Sequence, residues 1–333
     1  MSHVLAVDGG NTKTLAAVAG PDGRTRGAGK AGRSDIYNAP TPADAIEEIA
    51  VAAEAALQRA GVTAADVGAA TFSLAGADWP EDFTLLAGSL HTRLALPAPP
   101  LIVNDAIGAL RAGSPDWTGV SVVSGTYNAV GARHADGRVF HVGFWPDGAG
   151  GRDLARAGLR AVYHAALGMG PATELTARAL ALYGAPDAMG LLHLFTKRGG
   201  LPEPEVDRLA PVLLDTADDG DPVAQAIVAE KGRILGRQGR ACAGQLGLEL
   251  AGARIVLAGG VFGHPTDRLA DATMAELPGA VAVRHPAPPI AGALLLALDR
   301  LGVQADAAVV AAGLPFPVPE RRSAPWAGSP SRA

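Results

Sequence analysis

The segment AVDGGNTKTLAAV, residues 6–18, sets the expectation for the fold. An apolar run ends at Asp8, two glycines follow, and a second apolar run begins a few residues later. Two short apolar runs with a turn signal between them predict a β-hairpin. Its glycines, Gly9 and Gly10, would let backbone N–H groups approach an anion. The side chains of the turn that would add further donors are Asn11, Thr12, Lys13 and Thr14.

This turn does not match the common phosphate-binding loops. A Walker A loop needs a longer glycine spacing and a following helix, and a Rossmann fingerprint also opens a helix. Two interpretations therefore remain, an anion-binding hairpin turn and an ordinary tight turn with an exposed acid. In the first, Asp8 would hold a hydrated Mg²⁺, which prefers one or two carboxylates together with substrate phosphates.

Composition limits the class of protein. The chain has 333 residues, 48% of them hydrophobic, which favours two domains over one. No apolar stretch approaches the roughly 18 residues of a membrane-spanning helix, and the chain runs from Met1 directly into a strand pattern, so we expect a cytoplasmic protein without a membrane partner. A net charge of −5 with dispersed cations argues against nucleic acid. The single cysteine, Cys242, excludes an internal disulfide and a multi-cysteine metal site.

Two more glycine turns follow apolar runs. VVSGTYNAVG, residues 122–131, repeats the pattern of the first segment, with Gly125 and Thr126 between two predicted strands. IVLAGGVFGHP, residues 255–265, ends a predicted strand at Gly259 and Gly260. Each of these glycine turns could be an ordinary turn after a strand. The three turns together favour two loops that bind a triphosphate and a third loop beside the nucleoside.

The segment PLIVNDAIGAL, residues 100–110, contains an acidic residue, Asp105, that is a candidate general base. An apolar strand ends at Asn104 and Asp105, and a helix begins. A carboxylate at the amide end of a helix stays ionised, and it can remove the proton of an attacking hydroxyl. Asp105 would equally suit a helix N-cap, and the spacing leaves both roles open.

The predicted order of elements is that of an α/β protein. Strands and helices alternate up to about residue 113, a second group of strands follows, residues 151 to about 250 are helical, and a βαβα unit ends the chain. Residues 314–333 are rich in Pro, Ser and Arg, which predicts a flexible tail.

The ordered motifs resemble the N-acetylglucosamine kinase branch of the sugar kinase, Hsp70 and actin superfamily, also called the BadF/BadG/BcrA/BcrD ATPase family. Any one motif is weak, whereas the ordered set is specific. The matching segments are DGGNTKT (8–14), GRSDIYN (32–38), LAGADWPED (74–82), NDAIGAL (104–110), VSGTYNAVG (123–131), GFWPDGAGG (143–151), DDGDPVAQAIV (218–228), LAGGVFGHP (257–265) and PPIAGALLLAL (288–298).

The resemblance implies a fold of two actin-like, ribonuclease H-like domains with a nucleotide cleft between them. The first domain would hold residues 1–106 and about 289–313, and the second would hold residues 107–288. ATP and Mg²⁺ would be the cofactors, a small-molecule sugar the substrate, and a homodimer the assembly.

The resemblance also implies roles for single residues. Asp105 becomes the general base, Thr12 and Thr126 meet the phosphates, and Gly220 and Gly259 lie near the nucleotide. The residues assigned to the sugar side are Ser34, Asp35, Asn104, Asp105, Trp145 and Asp147.

Two departures from the family pattern lie on the sugar side. Asp35 replaces the usual Asn, and PDGAGG replaces GDEGS. An ionised Asp only accepts hydrogen bonds, so it would either bind a ring hydroxyl or favour an ammonium group. The resemblance implies phosphorylation of N-acetylglucosamine or glucosamine at the 6-hydroxyl. A kinase of another hexose and a non-catalytic regulator that binds sugar or nucleotide remain alternatives.

Overall fold

The computed structural model describes residues 2–143, 147–284 and 287–316. Trp145 and most of the tail predicted for residues 314–333 lie outside these ranges. The described part contains two mixed five-stranded sheets, ordered β3-β2-β1-β4-β5 and β10-β9-β6-β7-β8. The strands are β1 (His3–Gly9), β2 (Thr14–Ala19), β3 (Thr25–Ala31), β4 (Val67–Leu74), β5 (Leu101–Asn104), β6 (Gly119–Ser124), β7 (Asn128–Arg133), β8 (Val139–Val142), β9 (Arg254–Ala258) and β10 (Val281–Arg284).

The predicted hairpin opens the first sheet. β1 and β2 are antiparallel with Gly9 opposite Thr14, so the turn spans residues 10–13. β1 is parallel to β4, and β4 is parallel to β5. Gly9, Leu74 and Asn104 are register partners across these three strands. Because parallel strands end at one edge of a sheet, the residues that follow them gather there.

The second sheet repeats this arrangement. β6 and β7 form an antiparallel hairpin whose turn carries Gly125 and Thr126. β6 is parallel to β9, and β9 is parallel to β10. Gly259 follows β9 with a φ of 93°, and a Cβ there would lie 2.4 Å from the Ser124 carbonyl oxygen. Glycine at this position therefore permits close contact between the end of β9 and the second hairpin turn.

The helices confirm the predicted α/β order. The long helical stretch predicted for residues 151–250 consists of α4 to α8 and ends at Leu246. No helix within the described ranges is long and apolar enough to cross a membrane. The helices are α1 (Pro42–Ala60), α2 (Pro80–Arg93), α3 (Asp105–Gly113), α4 (Gly151–Ala166), α5 (Leu175–Tyr183), α6 (Ala188–Thr196), α7 (Leu209–Asp218), α8 (Pro222–Leu246), α9 (Arg268–Met274), α10 (Pro289–Arg300) and α11 (Ala307–Ala312).

Helix α3 connects the two sheets at the base of the cleft. It packs on α10 and also contacts β6 and β7 of the second sheet. A Cβ on Gly292 would lie 2.0 Å from the Gly108 carbonyl oxygen, so only glycine allows this approach of α10 to α3. Arg111 of α3 forms a bidentate ion pair with Asp299 of α10, at 2.9 and 3.1 Å. The position of the first turn of α3 is therefore fixed by packing and by charge.

Candidate active site

A cavity of about 530 Å³ lies between the two sheets, bounded by both hairpin turns and by the start of α3. It brings together residues that are far apart in the sequence. The predicted site residues that line it are Asp8, Gly9, Gly10, Asn11, Thr12, Lys13, Asp35, Asp105, Gly125 and Thr126. Residues predicted from separate motifs therefore line one cavity.

The two hairpin turns meet directly. The hydroxyl oxygens of Thr12 and Thr126 lie 2.8 Å apart, and either one can be the donor. The second turn also supports the helix that follows it, since the backbone N–H of Gly151 donates to the Gly125 carbonyl at 2.8 Å. Two hydroxyls and glycine-rich backbone thus face each other, an arrangement suited to holding phosphate oxygens from both sides.

Asp105 begins α3 but does not cap it. Asn104 is the N-cap, and its Oδ1 accepts from the Ala106 backbone N–H at 3.0 Å. One oxygen of Asp105 accepts from the same N–H at 3.0 Å. Burial, followed by the charges of Asp8, Asp78 and Asp35, raises the pKa of Asp105 to about 7. A carboxyl group with such a pKa is suited to proton transfer near neutral pH.

Asp8 lies at the end of β1 beside the first turn. Burial raises its pKa to about 6, and the charge of Lys13 opposes this rise. Within the described ranges no group of three or more His, Cys, Asp or Glu residues forms a metal cage. One carboxylate next to a glycine-rich turn nevertheless fits Mg²⁺, which is commonly held by one or two carboxylates and the substrate phosphates.

The loop that carries Asp35 is held rigidly. Oδ2 of Asp35 accepts from Asn11 Nδ2 at 2.7 Å and from Asn38 Nδ2 at 2.8 Å, and Oδ1 accepts from the Tyr37 backbone N–H at 2.9 Å. The Tyr37 hydroxyl donates to the buried carboxylate of Asp82, which also caps the start of α2. Asp35 thus joins the first hairpin turn to its own loop.

Three residues that were predicted to contact a ligand have buried side chains. Thr14 is fully buried, and its hydroxyl donates to the Gly32 carbonyl at 2.7 Å and lies in hydrogen-bond contact with the Ser34 hydroxyl, also at 2.7 Å. Ser34 is 1% exposed and lies beneath the first turn. Asn104 is 2% exposed, and its side chain is used by the helix cap and by Asp78. Their predicted contact with a ligand stays a prediction, and the bonds described here support the cavity wall.

The remaining predicted residues either do not line the cavity or lie outside the described part. Gly220, with a φ of 101°, follows α7, and Gly259 and Gly260 follow β9, but none of them lines this cavity. Asp147 also lies off the cavity, and its carbonyl accepts from Gln238 Nε2 at 3.1 Å. Trp145 falls outside the residues that the structure describes.

Sequence reasoning assigned no role to four polar residues that line the cavity: Asn38, Asp78, Asn128 and Asp153. Asn128 fixes the segment opposite it, since its Oδ1 accepts from the Ala149 backbone N–H at 2.8 Å. Burial, followed by the charges of Asp35 and Asp82, raises the pKa of Asp78 to about 6. In the sequence Asp78 is seen only to follow an apolar run, and its place in the cavity depends on the pairing of β4 with β5.

Two sheets that each begin with a hairpin, with both turns lining one cavity with a partly buried aspartate, define an actin-like ATPase fold, as predicted. Residues 5–297 match the model of the BadF/BadG/BcrA/BcrD ATPase family, so the chain belongs to that family.

Two named proteins are similar to this chain over most of its length. An N-acetylmuramic acid/N-acetylglucosamine kinase from Clostridium acetobutylicum is 25% identical over 268 residues, which are 79% of this chain and 87% of the relative. The crystal structure of a candidate N-acetylglucosamine kinase from Chromobacterium violaceum has a TM-score of 0.66 and 25% identity, over 89% of this chain and 99% of that one.

A more distant structure shares the fold. A ROK family glucokinase from Streptomyces griseus, solved with glucose and AMPPNP, has a TM-score of 0.57 and 20% identity, over 89% of this chain and 98% of that one. The predicted family and fold are confirmed, and the predicted enzyme class, an ATP-dependent sugar kinase, is the class of these relatives.

Proposed function

We propose that this chain is an ATP-dependent kinase that phosphorylates an amino sugar, N-acetylglucosamine or glucosamine, at its 6-hydroxyl. Family membership and the named kinases that the chain resembles support the reaction class. The observation that carries the proposal is the position of Asp105, whose carboxyl lies in one cavity with both hairpin turns and has a pKa of about 7.

In this proposal, Asp105 accepts the proton of the sugar hydroxyl as that oxygen attacks the γ-phosphorus, and the bond from the γ-phosphorus to the bridging oxygen breaks so that ADP leaves. One oxygen of Asp105 is held by the Ala106 N–H, which orients the other oxygen for proton transfer. Thr12, Thr126 and the backbone of the two hairpin turns bind the phosphate oxygens from both sides of the cleft. Positioning and charge stabilisation of this kind account for most of the catalysis of phosphoryl transfer.

A bound Mg²⁺ would be held by Asp8 together with the phosphates, and it would neutralise charge on them. The nucleoside would extend towards Gly220, Gly259 and Gly260, and the backbone leaves room at Gly220 and Gly260. A Cβ placed on Gly220 or Gly260 would meet nothing within 4 Å.

The acceptor would lie against the loop of Asp35, with Trp145 and Asp147 as further contacts. An amino sugar suits this side because carboxylates dominate the charge of the cavity. Lys13 is the only cation among the described residues that line it. Such surroundings favour hydroxyl and ammonium donors over anionic groups.

We further propose the two-domain division at residues 106 and 289, a cytoplasmic location and a homodimer. In this division the chain crosses between the domains at the start of α3 and just before α10, next to the cavity. Closure of the two halves over both substrates would exclude water from the transferring group.

The test is ADP release with a panel of hexoses and hexosamines, at saturating Mg-ATP. We expect the greatest kcat/KM with N-acetylglucosamine or glucosamine. A regulator without catalytic activity would bind sugar, as calorimetry would detect, and release no ADP with any member of the panel. Preference for a hexose without nitrogen would overturn the amino sugar assignment while leaving the kinase assignment intact.

A further inference from the structure

Asp78 is an acid of the cavity that the proposed reaction leaves without a role. It follows β4, and it lines the cavity together with Asp35 and Asp105. Its Oδ1 accepts from Asn104 Nδ2 at 3.0 Å. Across the described ranges, no hydrogen bond reaches its Oδ2, which leaves this oxygen available to a ligand.

Asp35 and Asp78 differ in how many hydrogen bonds each can still accept. An ionised carboxylate offers about four lone-pair positions. Asp35 already uses three of them, for Asn11, Asn38 and the Tyr37 backbone N–H. Asp78 uses one. Of these two acids, Asp78 therefore keeps the greater capacity to bind the donors of a sugar.

Asp78 is also fixed relative to the proposed base. Asn104 binds Asp78 through its Nδ2 and the first turn of α3 through its Oδ1. The backbone N–H of Asp78 donates to Oδ2 of Asp82, a carboxylate that is 5% exposed, at 3.2 Å. A side chain held on both sides in this way is a preorganised hydrogen-bond acceptor.

We propose that Asp78 is a specificity-determining residue that accepts a hydrogen bond from a hydroxyl or ammonium group of the acceptor sugar. This inference rests on the proposed function and deepens it. The contact sets the affinity for the sugar and leaves the nucleotide site unchanged. It favours neutral and cationic sugars and opposes an acceptor that carries a carboxylate, because like charges would meet in a buried cavity.

The experiment compares Asp78→Asn with the wild-type enzyme on the best acceptor of the sugar panel. Asn keeps the size of the side chain, and its oxygen still accepts from Asn104, but the charge and half of the acceptor capacity are lost. We expect the KM for the sugar to rise about tenfold or more, with the KM for ATP and kcat within about threefold of wild type. The control is Glu81→Gln, which removes an exposed carboxylate of the same segment that does not line the cavity.

A sugar KM within about twofold of wild type, or a loss confined to kcat, overturns the role in recognition. If Asp78→Asn does not fold, as judged by thermal melting, Asp78→Ser gives the same comparison, because its hydroxyl can accept from Asn104. A wild-type enzyme that releases no ADP with any sugar contradicts the proposed function. An active wild type with an unchanged Asp78→Asn contradicts only the inference about Asp78.

Discussion

Thr12 and Thr126 are 114 residues apart in the sequence, yet their hydroxyl oxygens lie 2.8 Å from each other across the cleft. Each residue belongs to a hairpin turn of a different sheet. This contact joins the two halves of the fold at the place where we propose that the phosphates of ATP bind.

Replacing Thr126 by Ala tests this placement. The variant loses one hydroxyl donor to the phosphates, and hydrogen bonds to charged groups are strong. We therefore expect kcat/KM for ATP to fall about tenfold or more. The KM for the sugar should stay within about threefold of wild type. Thr196→Ala is the control, since it removes an exposed hydroxyl of α6 that bonds only to its own helix. An unchanged kcat/KM for ATP would remove Thr126 from the phosphate site.

Asp35→Asn separates two interpretations of the departure from the family pattern. Asp35 organises its loop through three protein donors, and an amide nitrogen at this position would face one of those donors. We therefore expect kcat/KM to fall by a similar factor, about tenfold, on every sugar of the panel. A loss confined to glucosamine would instead show that the carboxylate recognises the amine, and the role as loop organiser would be wrong.

The acids of the cavity should make the stability of the ligand-free protein depend on pH. Folding raises the pKa of Asp8 and Asp78 to about 6 and that of Asp105 to about 7, so the folded state holds protons that the unfolded state releases. This contribution to stability is complete below the unfolded pKa of 3.8 and is lost as the pH rises through 6 to 7.

Asp105→Asn isolates one member of this group of acids. We expect the variant to unfold at a higher temperature than wild type at pH 8, with a smaller difference at pH 5. Thermal melts of both proteins at the two pH values measure this, and the histidines, which are the same in both proteins, cancel in the difference. A difference that does not grow with pH would contradict the raised pKa of Asp105.

Gly292→Ala tests the packing that holds α3. The new Cβ would lie 2.0 Å from the backbone oxygen of Gly108. The backbone cannot move away to relieve this clash as easily as the end of a flexible side chain can. We expect a loss of about 1–3 kcal/mol in the free energy of unfolding, measured by urea denaturation. Gly88→Ala in α2 is the matched control, because its Cβ meets nothing within 4 Å, and it should be neutral or stabilising. Equal stability of the two variants would show that α10 and α3 are not tightly packed.

The hairpin turns and Asp105 could be predicted from the sequence because their signals are local. Each lies where an apolar run ends, and the end of a strand is where a sheet presents side chains to a ligand. The helix cap was assigned less well, since Asn104 and Asp105 are both good caps and only the structure assigns the cap to Asn104.

The positions of Thr14 and Asp78 could not be predicted from the sequence because they depend on pairing between distant strands. Thr14 is buried because β3 returns beside β2 and brings Gly32 and Ser34 over its hydroxyl. Asp78 reaches the cavity because Leu74 and Asn104 are register partners in β4 and β5. Such long-range register is not encoded in any one motif.

The kcat of Asp105→Asn, at saturating ATP and sugar, tests the central claim most directly. Asn keeps the size of the side chain and can still accept from the Ala106 N–H, but it cannot take a proton from the sugar. We expect kcat to fall about 10²–10⁴-fold, which is typical of general-base removal. Binding of ATP should be nearly normal and the protein folded. A folded variant that retains more than about half of the wild-type kcat would contradict the assignment of Asp105 as the base.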